Sequence, residues 1–406
     1  MHILLLTSEF PPYLIGGLGT HVSQLAAGLL RADIRVTVGL ILHNYVITID
    51  LRQDSWHSTT VVQTEGDFYD RQIAANGVLF DQLKPHIQSF GIDLIHSHDW
   101  LSFSAGQLLA AHAGIPHITT VHMLQKLLER LHPTINSKIF LLEKDMLRQS
   151  HQLIAVSNAM RRMIGEIEPA CAAKTKVIYN WVDRDAFHPH NRSAKDVQQE
   201  FAPQGEQLVL FVGRLTLQKG LGFLIDSAEI VRRQLPNTRW IIVGRINAEA
   251  RHHYGALISS AATGHICFVG ERSRAELTAF FAAASCVVVP SVFEPFGLVA
   301  IEAMRAGAPV IVSDVDGLQE IVDHERDGLR VPVDTGRQPA GPDLALLAQA
   351  QIRLLQDQAL RQRLAQAAQA KVEALFQDTR CIAQIIDLYK HTTEQYTGAD
   401  QARPPA

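Results

Sequence analysis

The chain is poor in the features that mark several large protein classes. Its 406 residues include four cysteines, Cys171, Cys267, Cys286 and Cys381. They lie too far apart for a zinc or dithiol spacing and read as reduced core residues. Lys plus Arg total 37 against 41 for Asp plus Glu, a formal charge of −4. Without a basic excess or stripe, no nucleic-acid partner is expected. No apolar run reaches the ~20 residues of a membrane-spanning helix, and the start, Met1–Ser8, has no basic head and too short an apolar core for a signal peptide. These absences predict a soluble, cytoplasmic protein. Neither a G-x-S-x-G elbow nor a Walker A sequence occurs, which argues against esterase and P-loop chemistry.

What is present is a core-forming composition, 47% hydrophobic and 19% charged, with 19 histidines. The length suits two domains of roughly 150 residues plus connections. Short β-branched runs alternate with helical patterns almost throughout. Strands are expected at 3–6, 36–40, 94–97, 118–121, 153–156 and 177–179, then at 208–212, 240–243, 266–269, 287–289, 310–312 and 329–331. Helices are expected at 20–31, 124–148, 221–233, 274–283 and 298–306. Strands apolar throughout are those buried on both faces of a parallel sheet, so the pattern predicts an α/β chain of two doubly wound, Rossmann-like domains facing a cleft. The alternation pauses at 185–206, a polar run with Pro189, Pro203 and Gly205. Domains are therefore expected at 1–190 and 191–375, with a helix at 376–395 crossing back to the first and a loose tail at 396–406. The segment 44–76 matches no interpretable pattern.

Ligands of open parallel sheets sit beyond the carboxyl ends of the strands, and three segments there carry chemistry. Residues 11–20 hold Gly16, Gly17 and Gly19, which let amides approach a ligand and tolerate positive φ, ahead of a helix whose N-terminus favours anions. The spacing is not that of the dinucleotide fingerprint, and a tight turn without a ligand is the alternative. Second, Gly213 opens a turn from which Arg214 and Lys219 project. Arg as a fork and Lys as a point charge suit a diphosphate, the alternative being ordinary surface cations. Third, Glu294 lies in a loop before a helix that carries Glu302. Glu302 is placed to accept hydrogen bonds from a ribose diol and Glu294 from sugar hydroxyls, while the amides of Phe296, Gly297 and Leu298 open the helix. The alternative is an ordinary helix-start acid beside a surface acid.

The order Gly213-Arg-Leu…Lys219-Gly, Glu294-Pro-Phe-Gly-Leu…Glu302-Ala and Gly307-Ala-Pro-Val-Ile-Val-Ser-Asp314 resembles the donor half of retaining, nucleotide-sugar-dependent glycosyltransferases of the GT-B fold. This family includes sucrose synthases and phospholipid mannosyltransferases. The segments 154–158, 177–183 and 317–322 also match, and the resemblance spans roughly residues 1 to 335. It implies that Arg214 and Lys219 neutralise the departing diphosphate, Glu302 holds the ribose, Glu294 holds the sugar, and Gly16 and Gly17 close over the phosphates. It places His122 beside the reacting sugar, and Asp99, Asp316 and Gly317 as acceptor-side candidates. The implied donor is a UDP-, GDP- or ADP-hexose, and the acceptor a sugar, glycan or lipid.

Some positions depart from the family. Asp316 stands where a glycine is frequent, bringing tolerance of left-handed backbone but also negative charge near the acceptor. Trp181 replaces a usual glycine. His96-Ser-His-Asp-Trp100 leans towards glycogen synthase-like members, yet Leu14 and Ile15 precede the glycine pair where those carry a Lys, which weakens ADP-glucose as donor. Asp314-Val-Asp316 and Asp183-Arg-Asp185 spell Asp-x-Asp, but with Arg214 and Lys219 supplying charge, no metal and no cofactor are expected. His96 and His98 could share a metal, with no third ligand evident. Peripheral membrane contact would need a basic amphipathic face, for which 124–148 is the candidate. The rival readings are a sugar-nucleotide epimerase and a catalytically silent sugar- or nucleotide-binding protein.

Overall fold

The computed structural model describes residues 1–42, 44–51, 55–62, 64–132, 134–183, 193–260 and 264–401. Asp185, and with it one of the Asp-x-Asp pairs, lies outside the described residues, as does the first part of the expected pause at 185–206; its remainder holds a helix, Ala194–Phe201, that Ser193 caps. The chain forms two units. Unit 1 comprises Met1–Glu129, Thr134–Asn180 and Asp378–Ala406; unit 2 comprises Arg130–Pro133 and Trp181–Gln377.

Unit 1 is built on an eight-stranded sheet of β1 (His2–Thr7), β2 (Arg35–Ile41), β3 (Tyr45–Asp50), β4 (Ser55–Val61), β5 (Leu94–His98), β6 (His117–Val121), β7 (Gln152–Ala155) and β8 (Thr175–Val177). The order is β4-β3-β2-β1-β5-β6-β7-β8. All six residues of β1 are buried, and its apolar run Ile3–Leu6 suits a central parallel strand. The sheet is not parallel throughout: β3 runs antiparallel to β2, and β4 antiparallel to β3. These two strands fill the stretch from residue 44 that the sequence left unread. Joined by short connections rather than crossover helices, they lack the βα alternation on which the reading relied.

Unit 2 carries a six-stranded sheet of β9 (Gln207–Val212), β10 (Thr238–Val243), β11 (Ile266–Gly270), β12 (Cys286–Val289), β13 (Val310–Ser313) and β14 (Leu329–Val331). Its order is β11-β10-β9-β12-β13-β14, with every pairing parallel. This is the doubly wound arrangement in which strand order reverses between the first and fourth strands. Trp181 is buried in this unit, and the next residue, Val182, donates its amide to Phe376 O at 3.1 Å. The indole is thus core packing where the family has a glycine.

The last helix, Asp378–Gln401, belongs to unit 1. It packs so closely on helix Gly17–Arg31 that a Cβ on Gly28 would lie 2.0 Å from Ile382 Cδ1. Its Tyr389 is fully buried, with the hydroxyl 2.6 Å from His96 Nδ1.

The expected helix at 124–148 is in fact a 3₁₀ turn, Gln125–Arg130, and a separate helix, Ser137–Gln149. The helix starts where Asn136 accepts a hydrogen bond from Ile139 N at 3.2 Å, an N-cap that halts propagation backwards. The five cations of this stretch do not make a free basic face. Lys126 pairs with Glu166, Arg130 with Asp316, Lys138 with Asp67 and Asp70, and Lys144 and Arg148 with Glu168. Among the described residues no helix is long and apolar enough to cross a membrane.

Glu143 fastens turn to helix, both carboxylate oxygens accepting from Gln125 N at 3.0 Å. Burial pushes its carboxyl from 4.5 up to about 8, although the Gln125 amide opposes the shift. Because the folded chain then holds a proton that the unfolded chain has lost, this group stabilises below about pH 4.5, and the contribution disappears as pH rises towards 8. Accordingly, the fall in urea midpoint between about pH 5 and pH 8 should be shallower in Glu143→Gln than in the unaltered chain. Equal slopes in the two proteins would refute the assignment.

Candidate active site

In unit 2 the candidate residues gather where strand order reverses. The turn after β9 carries Gly213, Arg214 and Lys219, and the loop after β12 carries Glu294. Neighbouring strands β9 and β12 thus deliver cations from one side and a carboxylate from the other. Lys219 Nζ lies 2.6 Å from Glu294 Oε2, and Ser291 Oγ donates to the same oxygen at 3.1 Å. Glu294 is only 7% exposed, so this ion pair is shielded from screening. Arg214 is exposed and rests on Gln218, Nη2 to Oε1 3.1 Å, while Gln218 O accepts from Val292 N at 2.9 Å. The turn closes on Gly220, whose φ is +66° and where a Cβ would meet Pro290 O at 1.9 Å. Only glycine permits β9's turn to lie this close to β12's loop.

Helix Leu298–Arg305 begins at Gly297 with no side chain capping it, next to the buried Phe296 ring. Glu302, on the buried face of that helix, is engaged by Arg274 Nη2 from helix Arg274–Ala283. The expected ribose carboxylate therefore already holds a guanidinium. Asp316 adopts φ +39°, in the left-handed region. Its negative charge does not stand free near an acceptor, as the sequence suggested. Arg130 binds it in a two-pronged pair at 2.7 and 2.8 Å, and its Oδ2 accepts from Glu294 N at 3.0 Å. Gly317 N in turn donates to Glu294 O at 3.0 Å, so the Asp316-Gly317 turn grips the Glu294 backbone at both its amide and its carbonyl. Asp314 faces Arg330 at 3.4 Å.

Unit 1 places its candidates in the same topological position. Gly16 and Gly17 follow β1, Asp99 follows β5, and His122 follows β6. The glycines do not serve through positive φ, which none of Gly16, Gly17 and Gly19 adopts. They serve through close approach. Glu9 Oε2 accepts from the amides of Ile15 (3.1 Å), Gly16 (2.8 Å) and Gly19 (3.1 Å), and a Cβ on Gly19 would stand 2.9 Å from that carboxylate. An internal anion thus occupies the positive end of helix Gly17–Arg31.

Asp99, at φ +58°, turns its Oδ1 onto the amides of His122 (2.6 Å) and Met123 (3.2 Å). Burial raises its carboxyl to about 7 against the pull of those two amides. Around it stand four imidazoles. His98 Nδ1 is 3.1 Å from His122 Nε2, and the His21 ring centre is 4.7 Å from that of His122 and 5.5 Å from that of His98. His96 is tied at both nitrogens, to Tyr389 and to Thr120 Oγ1 at 2.7 Å. Burial holds His96, His98 and His122 well below the ordinary histidine range and His21 at about 4, so all four are neutral.

Two family models divide the chain between them. Residues 15–186 match "Glycosyltransferase Family 4" and residues 193–371 match "Glycosyl transferases group 1". The chain belongs to the GT-B glycosyltransferases. An uncharacterised glycosyltransferase of Methanocaldococcus jannaschii is 29% identical over 97% of this chain and 99% of its own length. Among solved structures, sucrose-phosphate synthase from Thermosynechococcus elongatus superimposes with a TM-score of 0.78 at 26% identity, covering 96% of this chain and 99% of that one. Anabaena HepE, solved with UDP and glucose, gives 0.76 at 22% identity, covering 96% of this chain and 100% of that one.

Within this glycosyltransferase, sequence reasoning found the strand-end residues but missed their partners. Glu9, Arg274 and Arg130 each neutralise or occupy a group singled out from the motifs, and none belongs to a motif. The only available signal was Glu9's place two residues past a strand end. Replacing Glu9 by Ala leaves three amides without their acceptor and should lower unfolding free energy by about 2 kcal/mol. Denaturant titration of both proteins measures this, and an unchanged midpoint would show that water serves the loop equally well.

Proposed function

We propose that the enzyme transfers a hexose from a nucleoside-diphosphate sugar to a hydroxyl acceptor with retention at the anomeric carbon and without a metal ion. The observation that carries this reading is the Lys219–Glu294 pair with Arg214 beside it, at the strand reversal of unit 2. Two cations at a doubly wound sheet's switch point suit a diphosphate. Glu294 fixes the ammonium in place and presents a carboxylate for sugar hydroxyls. In the step itself the bond from the anomeric carbon to the diphosphate oxygen breaks, and a bond to the acceptor oxygen forms on the same face. The acceptor's proton passes to the departing phosphate oxygen, whose charge Arg214 and Lys219 stabilise. His122, held by the Asp99 carboxylate through its backbone amide, positions the sugar.

Glu302 accepts the ribose diol by exchanging Arg274 for it, which frees a guanidinium next to the nucleotide. A UDP-hexose is the first donor to test. The HepE complex supports it, and Leu14 and Ile15 in place of a Lys weigh against ADP-glucose.

Incubation with UDP-, GDP- and ADP-glucose and a panel of sugar acceptors, read by mass spectrometry and by NMR of the anomeric proton, tests the class, the donor and the stereochemistry together. Arg214→Ala, at an exposed position, should lower kcat about 100- to 1,000-fold while the thermal midpoint stays near that of the parent. EDTA should not lower the rate. Near-full turnover in Arg214→Ala, or an inverted product, would falsify the proposal.

A further inference from the structure

We propose that His21, His98 and His122 form a three-imidazole site for a borderline divalent cation, Zn²⁺ above all, and that filling it stops glycosyl transfer by engaging the His122 ring nitrogen in place of the sugar. The inhibitory half rests on the function proposed above; the metal site does not.

The three rings come from three elements of unit 1: helix Gly17–Arg31, the end of β5, and the residue after β6. One ring nitrogen of each lies within 4.8 Å of the other two. The 3.1 Å between His98 Nδ1 and His122 Nε2 is close to the ~3.3 Å separating two ligands of a tetrahedral ion with bonds of ~2.0–2.1 Å. An ion therefore enters by replacing one hydrogen bond, with little movement of those rings. His98 also keeps its Nε2 buried with no hydrogen-bond partner among the described residues. Buried ring nitrogens are rarely left so, and such a nitrogen marks a cluster whose polar groups are not fully served from within.

The surroundings supply what a metal site needs. His21 has a hydrogen bond to Asn180, the kind of side-chain partner that orients a ligating imidazole. His122 is only part-buried, leaving one side of the cluster accessible. His96, which the sequence suggested as a ligand with His98, is excluded because Tyr389 and Thr120 take both its nitrogens. His21 is the third ligand that the sequence did not show. Neutral imidazoles suit Zn²⁺ and its neighbours, whereas Mg²⁺ and Ca²⁺ prefer oxygen.

Equilibrium dialysis of the full chain against Zn²⁺ should show one tightly held ion, removable by EDTA and not displaced by Mg²⁺. Affinity should fall at least ~10-fold in His21→Gln and in His98→Gln. It should be unchanged when the exposed neighbours His252 and His253, the competing surface pair, are both made Gln. Should the buried variants fail to fold, the Co²⁺-loaded parent decides: hyperfine-shifted ring resonances from three imidazoles support the site, and fewer overturn it. Absence of stoichiometric uptake, or full affinity in His21→Gln, also overturns it. Stoichiometric Zn²⁺ that leaves transfer at its full rate overturns the inhibitory half alone. A chain that takes up Zn²⁺ but transfers no sugar from any donor overturns the functional reading and not the site.

Discussion

The constraint on which the molecule depends is that a central parallel strand is buried on both faces. Such a strand is nearly all apolar, so polar chemistry is pushed to the point where the strand stops. Each sheet adds a reversal of strand order, where two successive connections diverge and leave the ends of neighbouring strands uncovered. In unit 1 these are β1 and β5, in unit 2 β9 and β12. Glu9 and the glycines, Asp99, Arg214 and Lys219, and Glu294 all stand just past one of those four ends. These candidates stand where they do because an apolar central strand leaves room for charge only past its end.

A second theme is that these charged groups are already engaged. Glu9 sits on the loop amides, Lys219 on Glu294, Arg274 on Glu302 and Arg130 on Asp316. Part-buried ions without partners would be costly, so each of these groups is held by an internal partner of opposite charge or by backbone amides. Any ligand that takes one of these groups must exchange partners with it, and its affinity is the difference between two sets of good contacts. Changing a partner, at Arg274 or Arg130, therefore alters how readily Glu302 or Asp316 is released without altering either carboxylate.

This explains how much could be read from the sequence. Eleven of the twelve expected strands fall on observed ones, since an apolar run between helical patterns has few other fates; the one expected at 177–179 meets β8 only at Val177. Arg214, Lys219, Glu294 and Glu302 were legible because local spacing fixes their place relative to a strand end. The antiparallel β3 and β4 were not, lacking the alternation with helices. Nor were Arg274 and Arg130, which reach their carboxylates across 28 and 186 residues of chain, a relation that no local pattern encodes. His21 escaped notice as a metal-ligand candidate for the same reason: its helical position looked like ordinary core, and only the fold brings it to His98 and His122.

The return of helix Asp378–Gln401 to unit 1 has a consequence for biogenesis. Except for a four-residue excursion, unit 2 is one continuous stretch, synthesised in full before the helix that completes unit 1. The unit begun first is completed second, since the tyrosine that anchors His96 follows all of unit 2 in the chain. Order of completion therefore runs opposite to order of synthesis, and a chain broken off before residue 378 would carry a whole unit 2 beside a unit 1 still missing its closing helix.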